Sequence, residues 1–204
     1  MATTDTLELL HAATDRATIV TVPERRMYAL DGLGDPAGAG YGQAIETLHA
    51  IADLLRAKLH VEHHIETRVG PIECAWWTHP EPPRDEVPDR FADRATWHWQ
   101  QMIEIPRRAS AADAEAVLAQ AREEGAIPDA QLVRVIRFDE GLSAQVLHVG
   151  ARASEPDSVR RLYDAVYAAG LRPRGHLHEI LVSDPRHAPA ERRHSILRLP
   201  VKKA

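Results

Sequence analysis

The chain has 204 residues, enough for one domain with a sizeable hydrophobic core. Its formal net charge of −5 and its pI of about 6.2 leave no basic excess that would favour a nucleic acid partner. A single cysteine excludes an internal disulfide framework, and the sequence has neither a signal-peptide start nor an apolar run of membrane-spanning length, so we expect a cytoplasmic protein.

The first third of the chain predicts a strand, a helix and a hairpin. Residues 19–30 form a strand that is interrupted at Pro23. Apolar residues at spacings of three and four then predict an amphipathic helix over residues 41–59. Two short stretches, 63–69 and 72–78, lie close together around Gly70-Pro71 and predict a hairpin.

The middle of the chain predicts a loop, a strand and a second helix. Residues 79–88 are rich in proline and charge and predict a loop. The strand over residues 97–105 is followed by Ser110 and Asp113, whose spacing is typical of a capping box at a helix start. This helix should end at Gly125.

The last third predicts a hairpin from residues 132–138 and 142–149, and a helix that begins near Ser154 and ends near Gly170. Two further apolar segments predict the last strands, over residues 176–183 and 196–201.

The order strand, helix, strand, strand therefore occurs twice, over residues 19–78 and 142–201. We expect an α+β fold in which two such repeats are related by pseudo-twofold symmetry around a central ligand cleft, since ligand sites favour such seams. The whole chain, residues 1–204, is predicted to be a single domain, with repeat one at about 19–105 and repeat two at about 106–201.

A glycine pattern after the first strand formally matches a dinucleotide fingerprint, Gly32-x-Gly34-x-x-Ala37. Asp35 and Pro36 would place a carboxylate, and a residue without an N–H, where a pyrophosphate needs amide donors. We therefore expect no nucleotide and no other cofactor.

Histidines are frequent, with a cluster at His60, His63 and His64 and a pair at His176 and His178. A zinc site needs three or four ligands that converge with fixed geometry, and the sequence has no CxxC or HExxH motif. We expect no metal site.

All four tryptophans lie in one short part of the chain, at Trp76, Trp77, Trp97 and Trp99. Trp97 and Trp99 alternate along a strand and so share a face. The group is either a tryptophan-rich core patch or a stacking wall for a planar ligand, and the sequence leaves both readings open.

Glu179 stands in an apolar strand, with Leu177 and Leu181 on its own face. Burying a carboxylate among leucines is costly unless the carboxylate is paired. We expect a buried, unpaired carboxylate, with an outward-facing edge-strand residue or a structural pair with an arginine as the alternatives. Glu73 and Glu104 occupy similar positions in other predicted strands.

Four segments in this order resemble the gyrase-inhibitor-like (GyrI-like) small-molecule-binding family. The segments are the opening strand and glycine-aspartate-proline turn, the proline-glutamate stretch with paired tryptophans, the W-x-W-x-x-M-I strand, and the closing pair of strands; they span residues 22–36, 71–77, 97–106 and 178–201.

The resemblance implies a tandem strand-helix-strand-strand fold and a ligand-facing glutamate at Glu179, with Trp76, Trp77, Trp97 and Trp99 lining the cavity. Glu73 lies in one of the matching segments, and we include it among the expected ligand contacts. The expected partners are flat hydrophobic small molecules, often cationic, with no nucleic acid and no membrane.

Some stand-alone members are similar to hydrolases that open the strained cyclopropane of DNA-alkylating natural products. In that chemistry Glu179 would be the catalytic acid or base. The family often has an aromatic residue or tyrosine two positions after the glutamate, where Leu181 stands here. Leu181 is therefore expected to line the site, and its lack of a hydroxyl counts against hydrolysis more than against binding.

About twenty residues precede the first strand, too few for a helix-turn-helix domain, so we expect a self-contained protein. We expect multidrug-type binding and a role in detoxification, and as a second activity the hydrolysis of cyclopropane-bearing genotoxins. The alternative is a non-enzymatic interaction protein that modulates gyrase or a regulator.

Overall fold

The computed structural model describes residues 12–78, 94–184 and 186–204. Within these ranges the helices are α1 (Ala39–His63), α2 (Ala111–Glu124) and α3 (Glu155–Ala168). The strands are β1 (Thr18–Val22), β2 (Arg25–Leu33), β3 (Ile72–Thr78), β4 (Trp97–Glu104), β5 (Arg134–Phe138), β6 (Gly141–Val149), β7 (Leu171–Pro173), β8 (Leu177–Leu181) and β9 (His194–Lys203). The predicted loop over residues 79–88 lies outside the described residues.

The chain divides into two compact units. The first consists of Met1–Pro23, Cys74–Ala92 and Asp139–Ala204, and the second of Glu24–Glu73 and Asp93–Phe138. The mixed α+β class predicted from the sequence is confirmed. None of the helices in the described ranges is long and apolar enough to cross a membrane.

In the first unit, the strands follow the order β1-β6-β9-β8-β3, and β7 pairs with β9. Helix α3 packs on one face of this sheet through four residues whose spacing of three and four places them on one side of a helix: Val159, Leu162, Tyr163 and Val166. They bury alternate residues of three strands: Ala144, Val146, Leu177, Leu197 and Leu199. This alternation is the period of two expected of a strand with one face on a helix.

The other face of the same sheet carries a buried ionic network. Arg198 donates through Nη1 to Glu140 Oε2 at 3.1 Å and through Nη2 to Gln145 Oε1 at 2.9 Å. His178 Nδ1 lies 2.7 Å from Glu140 Oε1. The strand register holds the set together, because His178, Arg198 and Gln145 are directly paired across β8, β9 and β6.

In the second unit, β2 lies between β4 and β5 and is antiparallel to both. Arg25 at the start of β2 donates to both oxygens of Glu73, at 2.6 and 2.7 Å, and to Glu104 at 3.3 Å. All three side chains are buried. Helix α2 begins and ends where the sequence predicts. Ser110 and Asp113 form a capping box at its start, and Gly125, which is left-handed, caps its end.

The capping box also perturbs its own carboxylate. Hydrogen bonds from Ser110, with a further one from His63, lower the pKa of Asp113 to about 2.

The hairpin predicted over residues 63–69 and 72–78 is wrong. Helix α1 continues through His63 and ends at His64, which adopts a left-handed conformation with φ 54°. The N–H groups of His64 and Ile65 donate to the last turn of the helix, which satisfies its terminal carbonyls. The residues up to Pro71 then form no regular structure.

The hairpin predicted over residues 132–138 and 142–149 is also wrong. Strand β5 pairs with β2, whereas β6 pairs with β1 and β9. Glu140 lies between the end of β5 and the start of β6 and is the buried partner of Arg198.

Gly32 provides space for a tryptophan. It is paired with Trp99 across β2 and β4, and a Cβ atom on Gly32 would lie 2.1 Å from the Trp99 ring. Trp99 in turn meets Tyr41 edge to face, with ring centroids 5.4 Å apart. The glycine thus serves the packing of the indole, which explains its place in a pattern that only formally resembles a nucleotide-binding loop.

We therefore expect Gly32→Ala to lower the free energy of unfolding by about 1 to 3 kcal/mol, because the buried ring must move. Gly42→Ala, in an exposed position of α1 with open space around it, is the matched control and should stabilise by about 0.5 to 1 kcal/mol. Denaturant melts followed by tryptophan fluorescence measure both. Equal stability of the two variants would show that Trp99 does not depend on Gly32.

Candidate functional site

The candidate site lies in the first unit and is centred on Glu179 of β8. Leu177, Glu179 and Leu181 alternate along this strand and are all buried on one face. The sequence predicts this arrangement. Glu179 is 3% exposed, so its charge must be balanced by neighbouring protein groups or by a ligand.

Two neighbouring strands donate hydrogen bonds to the carboxylate. Trp76 of β3 donates through its indole N–H to Oε2 at 3.2 Å. Ser195 of β9 donates through its hydroxyl to Oε1 at 3.2 Å. Ser195 can do so because Leu181 is its direct partner in the register and Glu179 stands two residues before Leu181, on the same face.

Arg152 completes the set. It lies in a short 3₁₀ turn, Arg152–Ser154, directly before α3. Its Nη2 is 3.3 Å from Glu179 Oε2, and its Cζ is 5.4 Å from the ring centroid of Trp76. One guanidinium thus makes both an ion pair with the carboxylate and a cation–π contact with the indole.

The expectation that Glu179 is unpaired is therefore wrong, and the alternative of an arginine partner holds. The Glu179 side chain is 4% exposed, whereas that of Arg152 is 26% exposed. The pair is thus partly open to solvent through its arginine. The buried carboxylate thus has two neutral hydrogen-bond donors and one cationic partner.

The other predicted site residues take different positions. Trp77, next in β3, stacks on His176 with centroids 5.0 Å apart and an interplanar angle of 22°. Leu181 is buried beside Glu179 on the same face. The second unit holds the remaining three: Trp97 and Trp99 are buried on β4, and Glu73 is the bidentate partner of Arg25.

Sequence reasoning missed Arg152 and Ser195. Arg152 lies in an irregular segment, so no periodicity ties it to a strand. Ser195 could have been found by counting in steps of two from the buried leucines of β9, but only with the register against β8 in hand.

One trio of side chains in the described ranges brings possible metal-ligating atoms within 4.8 Å of one another: Glu62, His63 and Asp113. Two protein contacts already account for it, since Lys58 pairs with Glu62 at 2.6 Å and His63 with Asp113 at 3.0 Å. Glu62 and His63 are also exposed, and exposed clusters that include acidic side chains are common in proteins without a bound ion.

Comparisons with known proteins place this site in a family context. The model of the GyrI-like small molecule binding domain matches residues 17–202. An uncharacterized conserved protein from Listeria innocua is similar in structure, with 30% identity, a TM-score of 0.83 and 96% of each chain covered. No protein of curated function matches the chain.

Two further solved structures, both described as hydrolases from Listeria innocua, are nearly as similar. One has 28% identity and a TM-score of 0.81, with 97% of each chain covered. The other has 29% identity and a TM-score of 0.79, with 96% of each chain covered.

Two of the buried glutamates of the first unit, Glu140 and Glu179, should differ in their importance for stability. We expect Glu140→Gln to lower the free energy of unfolding by about 3 to 5 kcal/mol, because Arg198 would be left as a buried, unpaired charge. Glu179→Gln should lower it by only about 1 to 2 kcal/mol, since Arg152 can turn to solvent and the amide oxygen still accepts a hydrogen bond.

Urea denaturation of the two variants and the wild type measures the difference. A loss at Glu179 as large as that at Glu140 would show that Glu179 is a structural residue and would argue against a ligand-facing role.

Proposed function

Because the chain belongs to the GyrI-like small-molecule-binding family, we propose that it binds flat hydrophobic, often cationic, small molecules at Glu179. The observation that carries this proposal is a buried carboxylate, 3.2 Å from the indole N–H of Trp76, whose cationic partner is a partly exposed arginine. A cation and an aromatic ring are the two features of a ligand that such a pair of side chains recognises.

The energies show what each group contributes. Burying about 300 Å² of apolar ligand surface gives roughly 7 kcal/mol, of which association removes at least about 4. Opposite charges about 4 Å apart attract by roughly 4 kcal/mol at an effective dielectric constant near 20, before desolvation. Apolar burial therefore supplies most of the affinity, but only the charge of Glu179 distinguishes a cation from a neutral molecule of the same shape.

Trp76, Leu181 and Glu179 are the proposed ligand contacts whose positions in the first unit support this function. Trp77, which already stacks on an imidazole, is proposed as an adjoining aromatic contact. Trp97, Trp99 and Glu73 stay predicted contacts of the same ligand.

Several finer expectations also stay predictions. They are the tandem repeat with pseudo-twofold symmetry and a central cleft, the single domain over residues 1–204, the cytoplasmic location, and a role in detoxification. The strand-helix-strand-strand order of β2, α1, β3 and β4, and of β6, α3, β8 and β9 with β7 inserted, supports the repeat.

The test uses a pair of flat dyes that differ in charge but hardly in shape: N-methylacridinium, a permanent cation, and acridine, which is neutral at mildly alkaline pH. We expect Glu179→Gln to weaken the binding of N-methylacridinium about tenfold or more, equivalent to about 1.4 kcal/mol, and to leave acridine nearly unchanged. Isothermal titration and tryptophan quenching measure both.

Glu191→Gln is the matched control, because it makes the same change of charge at an exposed position of the same unit. Equal losses for the two dyes would mean that Glu179 only shapes the pocket. Absence of saturable binding by either dye would overturn the proposed function and favour a non-enzymatic interaction protein.

Hydrolysis of cyclopropane-bearing electrophiles is a second candidate function. Two chains similar to this one, at 28% and 29% identity, are described as hydrolases. Glu179 is the proposed catalytic group, as a general base that takes a proton from water while the water oxygen attacks a ring carbon. The ring C–C bond breaks, its electron pair passes to the conjugated carbonyl of the substrate, and the resulting enolate takes up a proton, so that one water is added overall. Leu181 supplies no hydroxyl to assist, so the carboxylate would act with Ser195 as its hydrogen-bonding neighbour.

Mass spectrometry of a cyclopropane-bearing DNA-alkylating compound, incubated with protein, tests this chemistry. We expect a product heavier by one water with the wild type and a fall to the background rate with Glu179→Gln, since no other group would take the proton. Equal rates for the two proteins would exclude Glu179 as the base.

A further inference from the structure

Arg152 stands where the proposed function, on which this inference rests, would place the positive charge of a ligand. Its guanidinium makes an ion pair with Glu179, at 3.3 Å, and a cation–π contact with Trp76, at 5.4 Å from the ring centroid. A planar aromatic cation bound to the same carboxylate and the same indole would make these two contacts itself. The arginine and the ligand cannot both occupy that place.

We propose that Arg152 is a specificity-determining residue that fills the cation subsite between Trp76 and Glu179 and must be displaced by a cationic ligand. In this state the carboxylate is already neutralised from within the chain. The site therefore discriminates against cations whose contacts with Glu179 and Trp76 are weak. Such a ligand gains only the difference in free energy between its own contacts and those of Arg152.

Three structural features make displacement feasible. Arg152 lies in a single 3₁₀ turn rather than inside a strand or helix, so its backbone is not held by a ladder of hydrogen bonds. Its side chain is 26% exposed, against 4% for Glu179, so the guanidinium can turn toward water without leaving a buried charge behind. Ser195 and Trp76 continue to hold the carboxylate when the arginine moves.

The buried arginines elsewhere show the contrast. Arg198 and its partner Glu140 are 0% and 1% exposed, and Arg25 and Glu73 are 4% and 1% exposed. Neither arginine could be displaced by a ligand without burying an unpaired charge. Of these three arginine–carboxylate pairs, only that of Arg152 joins a buried carboxylate to an arginine side chain that is partly exposed.

The experiment extends the dye pair to a series of three charges: N-methylacridinium, acridine and the anion anthracene carboxylate, all at mildly alkaline pH so that acridine stays neutral. We expect Arg152→Ala and the bulkier Arg152→Gln to bind N-methylacridinium about tenfold more tightly than the wild type, which corresponds to about 1.4 kcal/mol. Acridine should bind nearly as before, and anthracene carboxylate more weakly.

Arg160→Ala is the matched control, since it removes one positive charge from an exposed arginine of α3 whose partner is Asp157. It should leave all three affinities within about twofold of the wild type, because exposed charges are screened. A gain for Arg160→Ala equal to that of Arg152→Ala would overturn the proposal by showing a general effect of net charge.

A double-mutant cycle locates the effect at the carboxylate. In the Glu179→Gln background, the change Arg152→Ala should no longer tighten cation binding about tenfold, because the charge for which arginine and ligand compete is gone. An unchanged or lower affinity of Arg152→Ala and Arg152→Gln for the cation, with a wild type that binds it, overturns this inference alone. Absence of dye binding by the wild type and by both arginine variants overturns the inference together with the proposed function.

Discussion

The buried carboxylate of Glu179 is the constraint on which the rest of the candidate site depends. A strand that places an ionised group between two buried leucines gains apolar burial at Leu177 and Leu181 but must satisfy the charge in the middle. The donors come from three separate parts of the first unit: Trp76 of β3, Ser195 of β9 and Arg152 before α3. Because each uses a different element, the carboxylate fixes the relative placement of two strands and a turn.

The four tryptophans, which the sequence groups together, have separate structural roles. Trp76 is a hydrogen-bond donor to Glu179, and Trp77, the next residue, stacks on His176. Trp99 lies over Gly32, a packing arrangement that only a glycine permits. Clustering in sequence thus did not decide between core and ligand wall, since the strand period of two sends adjacent residues to opposite faces.

What could be predicted from the sequence follows from the range of the interactions involved. Helix α2 and its limits were predictable because the capping box of Ser110 and Asp113 and the left-handed Gly125 are local in sequence. Glu179 was recognisable because an acid between leucines conflicts with its own strand pattern. The hairpin predicted over residues 132–138 and 142–149 does not form because segments that are adjacent in the chain need not pair in the sheet: β5 and β6 pair with different strands. The hairpin predicted over residues 63–69 and 72–78 does not form because the first segment is the end of α1 followed by irregular chain. The role of Arg152 could not be predicted from the sequence, since its contact with Glu179 depends on where the tertiary fold places a short 3₁₀ turn.

Three ion pairs between a buried glutamate and an arginine, among those in the described part of the chain, differ in one respect. Each of Glu140, Glu73 and Glu179 is buried and paired with an arginine. In the first two pairs the arginine is buried as deeply as the acid, so the ion pair is closed and its loss would leave a charge in the protein interior. At Glu179 the arginine is partly exposed, and water can accept the guanidinium if another cation replaces it. The acid is equally buried in all three pairs, so burial of a glutamate alone does not mark a binding site. The proposed site depends instead on the exposure of the partner, because only an exchangeable partner leaves a buried charge available to a ligand.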